Sequence, residues 1–246
     1  MASLRYTYGL LLRVYTPKTQ EVKARVDRAL EHVKQVSIVR QDFKSLNRLM
    51  LLVPRDYDCG ETVSALRRRL KDEGFGARVS VFASHGHHSC EVLNEGLMEL
   101  LGDVSHALIV SGKAMPYLTF AAMLAIDRAF VTGAKVAGLA VDELRSVVFS
   151  GRIQNTFAAW DIESLLQVGG FDSQGGVEEI APLIRFARRY GKCIAPIEVG
   201  AGVLDVFATE TARKRHEEVM ATKLARQQAE CDRLDADFKF IRDAVM

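Results

Sequence analysis

The stretch NRLMLLVPRDYDCGETVSALRRRLKDEG, residues 47–74, contains one full unit of the fold. Residues 47–56 form a near-continuous apolar run ended by Pro54, the pattern of a strand buried on both faces. Residues 61–74 follow with apolar positions at helical spacing and close on Gly74, the residue type that ends a helix most readily. A doubly buried strand feeding a helix is the building block of a parallel sheet.

The unit recurs on both sides. Upstream, YGLLLRVYT (8–16) reads as a buried strand, and residues 18–35 place Val22, Val26, Ala29, Leu30 and Val33 on one helical face. Downstream, ARVSVFAS (77–84) precedes a helix at 89–102, HALIVS (106–111) precedes a helix at 117–133, and AKVAGLAV (134–141) is a further strand. The repetition predicts an α/β three-layer sandwich, Rossmann-like, with a mostly parallel sheet. Such sheets bind ligands at the carboxyl ends of their strands, here residues 16–18, 54–60, 84–88 and 111–115.

After residue 141 the rhythm gives way to short segments punctuated by glycine, the irregular kind of chain in which function concentrates. The tail from about residue 205 reads as an amphipathic helix. Met220, Leu224, Cys231, Leu234, Phe238, Ile241 and Val245 keep a three-four spacing, and Gln227 alone is out of pattern. That stripe needs a partner, either its own domain or a second copy in a homodimer. The expected division is a sheet domain over 1–204 and a helical extension over 205–246.

Composition excludes several classes. With 246 residues, 48% of them apolar, the chain can bury a core without crosslinks. Thirty-three basic residues against thirty-one acidic ones leave a net charge of +2, so no overall field draws nucleic acid. Cysteines at 59, 90, 193 and 231 have no disulfide-framework or CxxC spacing, as expected of reduced thiols in a cytoplasmic protein. The apolar run at 9–12 is broken by Arg13, too short for a signal peptide or a transmembrane segment.

Two clusters carry candidate chemistry. In SHGHHSCEVLNEG (84–96), His85, His87, His88 and Cys90 are all types that bind borderline metals. The adjacent His87 and His88 diverge, and no second cluster completes a ligand set, so the stretch reads as a ligand-facing turn. There Gly86 permits close backbone approach, and the amides of the following helix suit an anion. Farther on, Glu178 and Glu179 are neighbouring carboxylates that raise one another's pKa, as a base working near neutral pH requires. The same acids also suit a helix N-terminus with no catalytic part.

Together these segments resemble the GT-A fold of nucleotide-diphospho-sugar transferases, closest to glycosyltransferase family 2, over about residues 8–200. The resemblance is carried by VYTPK, by LLVPRDYDCGET, by SHGHHSCEVLNEGL through Gly86 and Asn94, and by WDIESLLQVGGFDSQGGVEEI. It implies nucleotide contacts from Thr16, Pro17, Asp56, Asp58, Gly86, His87 and Asn94. It implies a catalytic base at Glu178 or Glu179, and sugar or acceptor contacts near Asn155, Trp160, Gly169 and Gly170. One departure stands out. Where the family carries an Asp-x-Asp element that holds a divalent cation, this chain has Ser111, Gly112 and Lys113.

No carboxylate is available there for a hard cation, so Lys113 and the turn amides are expected to meet the diphosphate without a metal. The expectation is therefore glycosyl transfer from a nucleotide-diphosphate sugar to an unknown acceptor, with no required cofactor. Its rivals are an inactive GT-A binding or assembly module and a nucleotidyltransferase, the latter needing clustered metal-binding acids that the sequence lacks.

Overall fold

The structure, a computed structural model, describes residues 4–14, 21–42, 45–55, 59–76, 78–86, 89–140, 153–172, 177–197 and 210–246. Along the chain run β1 (Tyr8–Arg13), α1 (Val22–Asp42), β2 (Leu46–Val53), α2 (Cys59–Asp72), β3 (Val79–Ala83), α3 (Ser89–Leu100) and β4 (His106–Val110). There follow a 3-10 turn (Gly112–Tyr117), α4 (Phe120–Val131), β5 (Val136–Ala140), β6 (Ile153–Asp161), α5 (Ile162–Gln167), α6 (Ile180–Tyr190) and β7 (Ile194–Ile197). The chain closes with α7 (Glu210–Arg233) and α8 (Phe238–Asp243).

The described strands form one sheet in the order β3-β2-β1-β4-β6-β5-β7. All pair in parallel except β6, which runs antiparallel to both β4 and β5. Leu10 and Leu12 of β1 point into a core under α1, α2 and α4, and Leu11 points into a second core under α3, α5, α6 and α8. This is the three-layer sandwich that the repeating strand-helix unit implies, because a central strand can be apolar at every position only when both faces are covered.

Three local readings needed correction. The helix expected over 117–133 starts later: Tyr117 still belongs to the 3-10 turn, and Thr119 then caps α4 by accepting from the Ala122 amide at 3.2 Å. The stretch after residue 141, read as irregular, contains the nine-residue β6. Its NTFAAW core gives no period-two signal because it is buried on both faces. The tail is two helices, since Asp235 takes a left-handed conformation (φ 49°) and Asp237 starts α8 by accepting from the Phe240 amide at 2.8 Å.

Cys231, Ile241 and Ala244 of this tail are buried in the core beneath α6. The backbone then adds an edge contact: Cys193 and Ile194 donate to Ala244 O, and Met246 donates to Ile194 O. Much of the stripe read from the sequence therefore packs on its own domain. The 204/205 boundary lies outside the described residues.

One side-chain amide ties α3 to the loop before α6. Asn94 Nδ2 donates to Phe171 O and Asn94 Oδ1 accepts from Phe171 N, both at 2.8 Å. The amide thus completes both backbone groups of Phe171 as a neighbouring strand would. Gly170 precedes it at φ +70°, and a Cβ there would lie 2.6 Å from Asn94 Oδ1, so both backbone shape and space require glycine.

Asn94→Ala leaves the N–H and C=O of a residue that is 2% exposed without partners. We expect a loss of about 2–3 kcal/mol, read as a fall in Tm of roughly 5–10 °C for a domain of this size. An unchanged Tm would show that the loop is held by other contacts.

A second stability prediction comes from His106. Its ring is buried among Tyr6, Tyr8 and Phe130, with centroid separations of 4.7, 5.4 and 4.0 Å. Burial lowers its pKa from 6.5 to about 4, against the opposing pull of Asp161 and Asp127. Between those two values the unfolded chain binds a proton that the folded chain refuses, so stability falls as pH drops from about 6.5 to 4. The full effect is on the order of 3 kcal/mol. Denaturant titrations across that window should show the loss in the parent and a flatter profile in His106→Gln; parallel profiles would remove His106 as the cause.

Candidate functional site

Among the described residues singled out in the sequence, Glu178 lies against the carboxyl end of β1, on the face covered by α3 and α6. Arg13 is the last residue of β1, and its Nη1 lies 2.8 Å from Glu178 Oε1. The Arg13 side chain is 26% exposed and that of Glu178 9%, so a largely buried carboxylate is paired with a partly exposed guanidinium. Arg13 is not among the residues that the sequence pattern singles out. The signal was present, since a charge terminating the apolar run YGLLLR marks the place where a buried strand reaches a polar site.

The adjacent carboxylates diverge. Glu178 meets Arg13, whereas Glu179 turns inward beneath α7, where Gln227 Nε2 stands 3.4 Å and Lys223 Nζ 3.6 Å from its Oε1. Glu179 occupies the N-cap position of α6, but its side chain makes no capping hydrogen bond. Burial raises its pKa, and the Glu178 charge raises it further, opposed by Lys223 and Arg13. Gln227, the one residue out of register in the tail stripe, is buried with this carboxylate among its partners.

Asp172, in the same loop, accepts from Arg185 at 2.5 Å and from Arg233 at 3.2 Å. Burial works against its ionisation, and the two guanidinium groups outweigh that and hold its pKa low. Arg233 also binds Glu230 at 2.6 Å. α7 therefore reaches the acid-bearing segment through polar and charged side chains, a contribution that its composition alone did not reveal.

The start of α3 faces this cluster. Cys90 is half-buried, and burial together with Glu178, Asp172 and Glu179 pushes its thiol pKa up to about 12. A thiol held protonated is neither a nucleophile nor a ready metal ligand. Gly86 is needed for internal packing: its N–H donates to Ser84 Oγ at 2.9 Å, its C=O accepts from Arg55 N at 3.0 Å, and Glu91 Cβ lies 2.3 Å from where a Cβ would stand. Its N–H and C=O are thus already engaged within the protein. Asn94 likewise spends its amide on Phe171.

Ser111 follows β4, its N–H bonded to Thr156 O at 2.8 Å and its Oγ buried without a partner. A Cβ on Gly112 would fall 2.4 Å from His32 Cε1, so this glycine accommodates an imidazole from α1. Lys113 opens the 3-10 turn with them. Gly169 and Gly170 are turn residues at φ +94° and +70° after α5.

Trp160 corrects the sequence reading of a sugar-facing indole. It is fully buried, edge-on to Phe171 at 5.2 Å, and its indole N–H donates to Asn155 Oδ1 at 2.8 Å. It is a core anchor, as a single buried tryptophan commonly is. Asn155 is buried with Nδ2 unpartnered.

Thr16, Pro17, Asp56, Asp58, His87 and His88 lie outside the described residues. Among the described residues no three His, Cys, Asp or Glu side chains are grouped to hold a metal, and no helix is long and apolar enough to cross a membrane. The donor set Ser111, Gly112 and Lys113 does not fit a hard divalent cation, which takes carboxylate and carbonyl oxygens.

No family model and no curated protein matches the sequence. Solved structures do match in shape. A mannosyltransferase from Pyrobaculum calidifontis, in complex with GDP-Man and Mn2+, aligns over 93% of this chain with a TM-score of 0.58 at 15% identity. This chain spans 65% of that chain's length. A 4-diphosphocytidyl-2C-methyl-D-erythritol synthase from Anaerococcus prevotii aligns over 87% of this chain and 98% of its own, with a TM-score of 0.49 and 12% identity. TarS from S. aureus aligns over 80% of this chain and 59% of its own, with a TM-score of 0.48 and 11% identity. At these identities the likeness is one of fold: the chain has a GT-A-like α/β fold of the kind seen in the mannosyltransferase.

Proposed function

We propose that the protein transfers a sugar from a nucleotide-diphosphate sugar to an acceptor hydroxyl, with Glu178 as general base. The observation that carries this reading is the divergence of the two carboxylates at the carboxyl edge of the sheet. A base must reach the proton it removes, and we assign that part to Glu178, which meets Arg13 at the end of β1 while Glu179 is taken up by α7. Arg13 fixes its orientation. In the transfer the acceptor oxygen attacks the anomeric carbon, its proton passes to Glu178, and the nucleoside diphosphate departs.

Glu179 then has a positioning part: it anchors α7 to the start of α6. The nucleotide would lie along the turns after β1, β2 and β3, with Thr16, Pro17, Asp56, Asp58 and His87 as its contacts. Lys113 would meet the diphosphate in place of a divalent metal, since the residues after β4 supply no carboxylate. One observation favours the rival reading of a non-catalytic module: Glu179, half of the acid pair, is covered by α7.

Release of nucleoside diphosphate from GDP-mannose and a panel of UDP-sugars, with and without candidate hydroxyl acceptors, separates the two. Glu178→Gln should lower kcat by about 100-fold or more with little change in KM for the donor. Glu179→Gln should change kcat by less than about tenfold, its main effect being on stability. Equal losses in both variants would reject the division of roles, and no turnover by the parent chain with any donor would favour the module. Turnover should also survive EDTA. Loss of activity on chelation, restored by Mn2+, would overturn the metal-independent reading.

A further inference from the structure

A row of polar side chains crosses three neighbouring strands at the ligand edge of the sheet. The parallel register of β1 on β4 pairs Leu11 with Ile109, and continuing it by two residues sets Arg13 beside Ser111. Ser111 in turn bonds to Thr156, so Asn155 flanks it on β6. Leu11 and Ile109 face the core under α3 and α6, and alternation turns Arg13 and Ser111 to that same face. A register shift in the β5-β6 pairing between Gly138 and Ala140 breaks the alternation along β6. Asn155 consequently lies on the face of Trp160, whose indole it accepts.

Two atoms of this row are buried without a hydrogen-bond partner, Ser111 Oγ and Asn155 Nδ2. The orientation of the amide is not free. An indole N–H only donates, so it holds Oδ1 toward Trp160 and leaves Nδ2 directed elsewhere, as a donor lacking an acceptor. Buried donors in that condition are rare in folded proteins, and each calls for a bound group or another specific cause. The electrostatics then select the kind of group. Arg13 is matched by Glu178 at 2.8 Å, so among the described side chains of the row no positive charge is left over for an anion.

We propose that Arg13, Ser111 and Asn155 form a subsite for the hydroxyl groups of a neutral, polyhydroxylated ligand, in which Asn155 Nδ2 is a fixed donor to a ligand oxygen. A hydroxyl suits this row because it accepts from Asn155 and donates to Ser111 or Glu178 with no net charge brought in. Ser111 is thereby assigned to the sugar and not to the diphosphate. The identification of the polyol as a sugar rests on the transferase reading; the selectivity for a neutral group over an anion does not.

Trp160 is the only tryptophan in the chain, so its indole N–H gives one cross-peak that reports on the amide it binds. The full-length protein would be titrated with glucose, mannose and galactose, with inorganic phosphate and pyrophosphate, and with UDP and GDP, following that cross-peak by 1H-15N NMR. A saturable shift with at least one hexose, not reproduced by phosphate or pyrophosphate, is the expected result. Asn155→Asp keeps an acceptor for Trp160 but removes the donor, and should weaken the hexose at least tenfold while the indole peak stays near its parent position. Ser111→Ala, a smaller change, should weaken it several-fold if the aspartate variant does not fold.

A cross-peak unmoved by any hexose, or moved equally by pyrophosphate, overturns the subsite, as does undiminished hexose binding in both variants. UDP or GDP binding without a hexose response would keep the transferase reading and reject the subsite. A hexose response with no nucleotide binding would do the reverse.

Discussion

The site depends on the paired hydrogen bonds between the Asn94 side chain and the backbone of Phe171. The sequence that carries them, VGGFD, is a turn with two successive left-handed glycines, and nothing in its local conformation fixes where it lies against the sheet. Asn94 fixes it. The amide stands on α3, whose Leu93 and Leu97 are buried on the sheet, so the loop is referenced to the sheet through one rigid side chain. Phe171 is then held edge-on to Trp160, and Asp172 is presented to Arg185 and Arg233. Asn94 and the Val177 to Ile180 packing thus bracket the segment that delivers Glu178 to Arg13.

Concentrating Asp172, Glu178, Glu179 and Glu230 in this region is costly unless each acid is answered, because buried carboxylates lose hydration and repel one another. The chain answers them from separate elements: Arg13 from β1, Arg185 from α6, and Lys223, Gln227 and Arg233 from α7. α7 is polar over most of its length, and several of its buried contacts here are ionic or amide contacts. Polar seams of this sort define a geometry more than they add net stability, since the Coulomb gain is offset by desolvation. That explains why a helix with so weak an apolar stripe nonetheless has a defined seat.

The sheet was legible because its central strands are apolar at every position and its helices are periodic, signals that arise from burial itself. β6 was not, because IQNTFAAWD mixes polar and apolar residues without alternation and follows a glycine-punctuated stretch, and only pairing with β4 and β5 reveals it. For the site, Glu178 and Gly170 stood out through the local pattern around VGGFD and Asn94 through SHGHHSCEVLNEGL, although the sequence could not assign Asn94 and Gly170 to each other. Lys223 and Gln227 were not visible as site residues, since their partners lie far away in the chain, and Arg13 carried only the hint of a charge that ends an apolar run. Gln227 is instructive: it looked like an error in an apolar stripe and is the point at which the stripe crosses a buried carboxylate.

Trp160 and Asn155 show how a core residue can set the properties of a site it never touches. The indole is enclosed by Phe171 and Phe186 and has no face for a ligand. Its single donor nevertheless decides which end of the buried Asn155 amide is left without a partner, converting a side chain that both donates and accepts into a donor alone. Replacing the tryptophan with an apolar ring would preserve much of the packing and release the amide to rotate. The discrimination in this row therefore depends on a hydrogen bond inside the core, and on the register shift in β6 that brings Asn155 to the face where the indole is waiting.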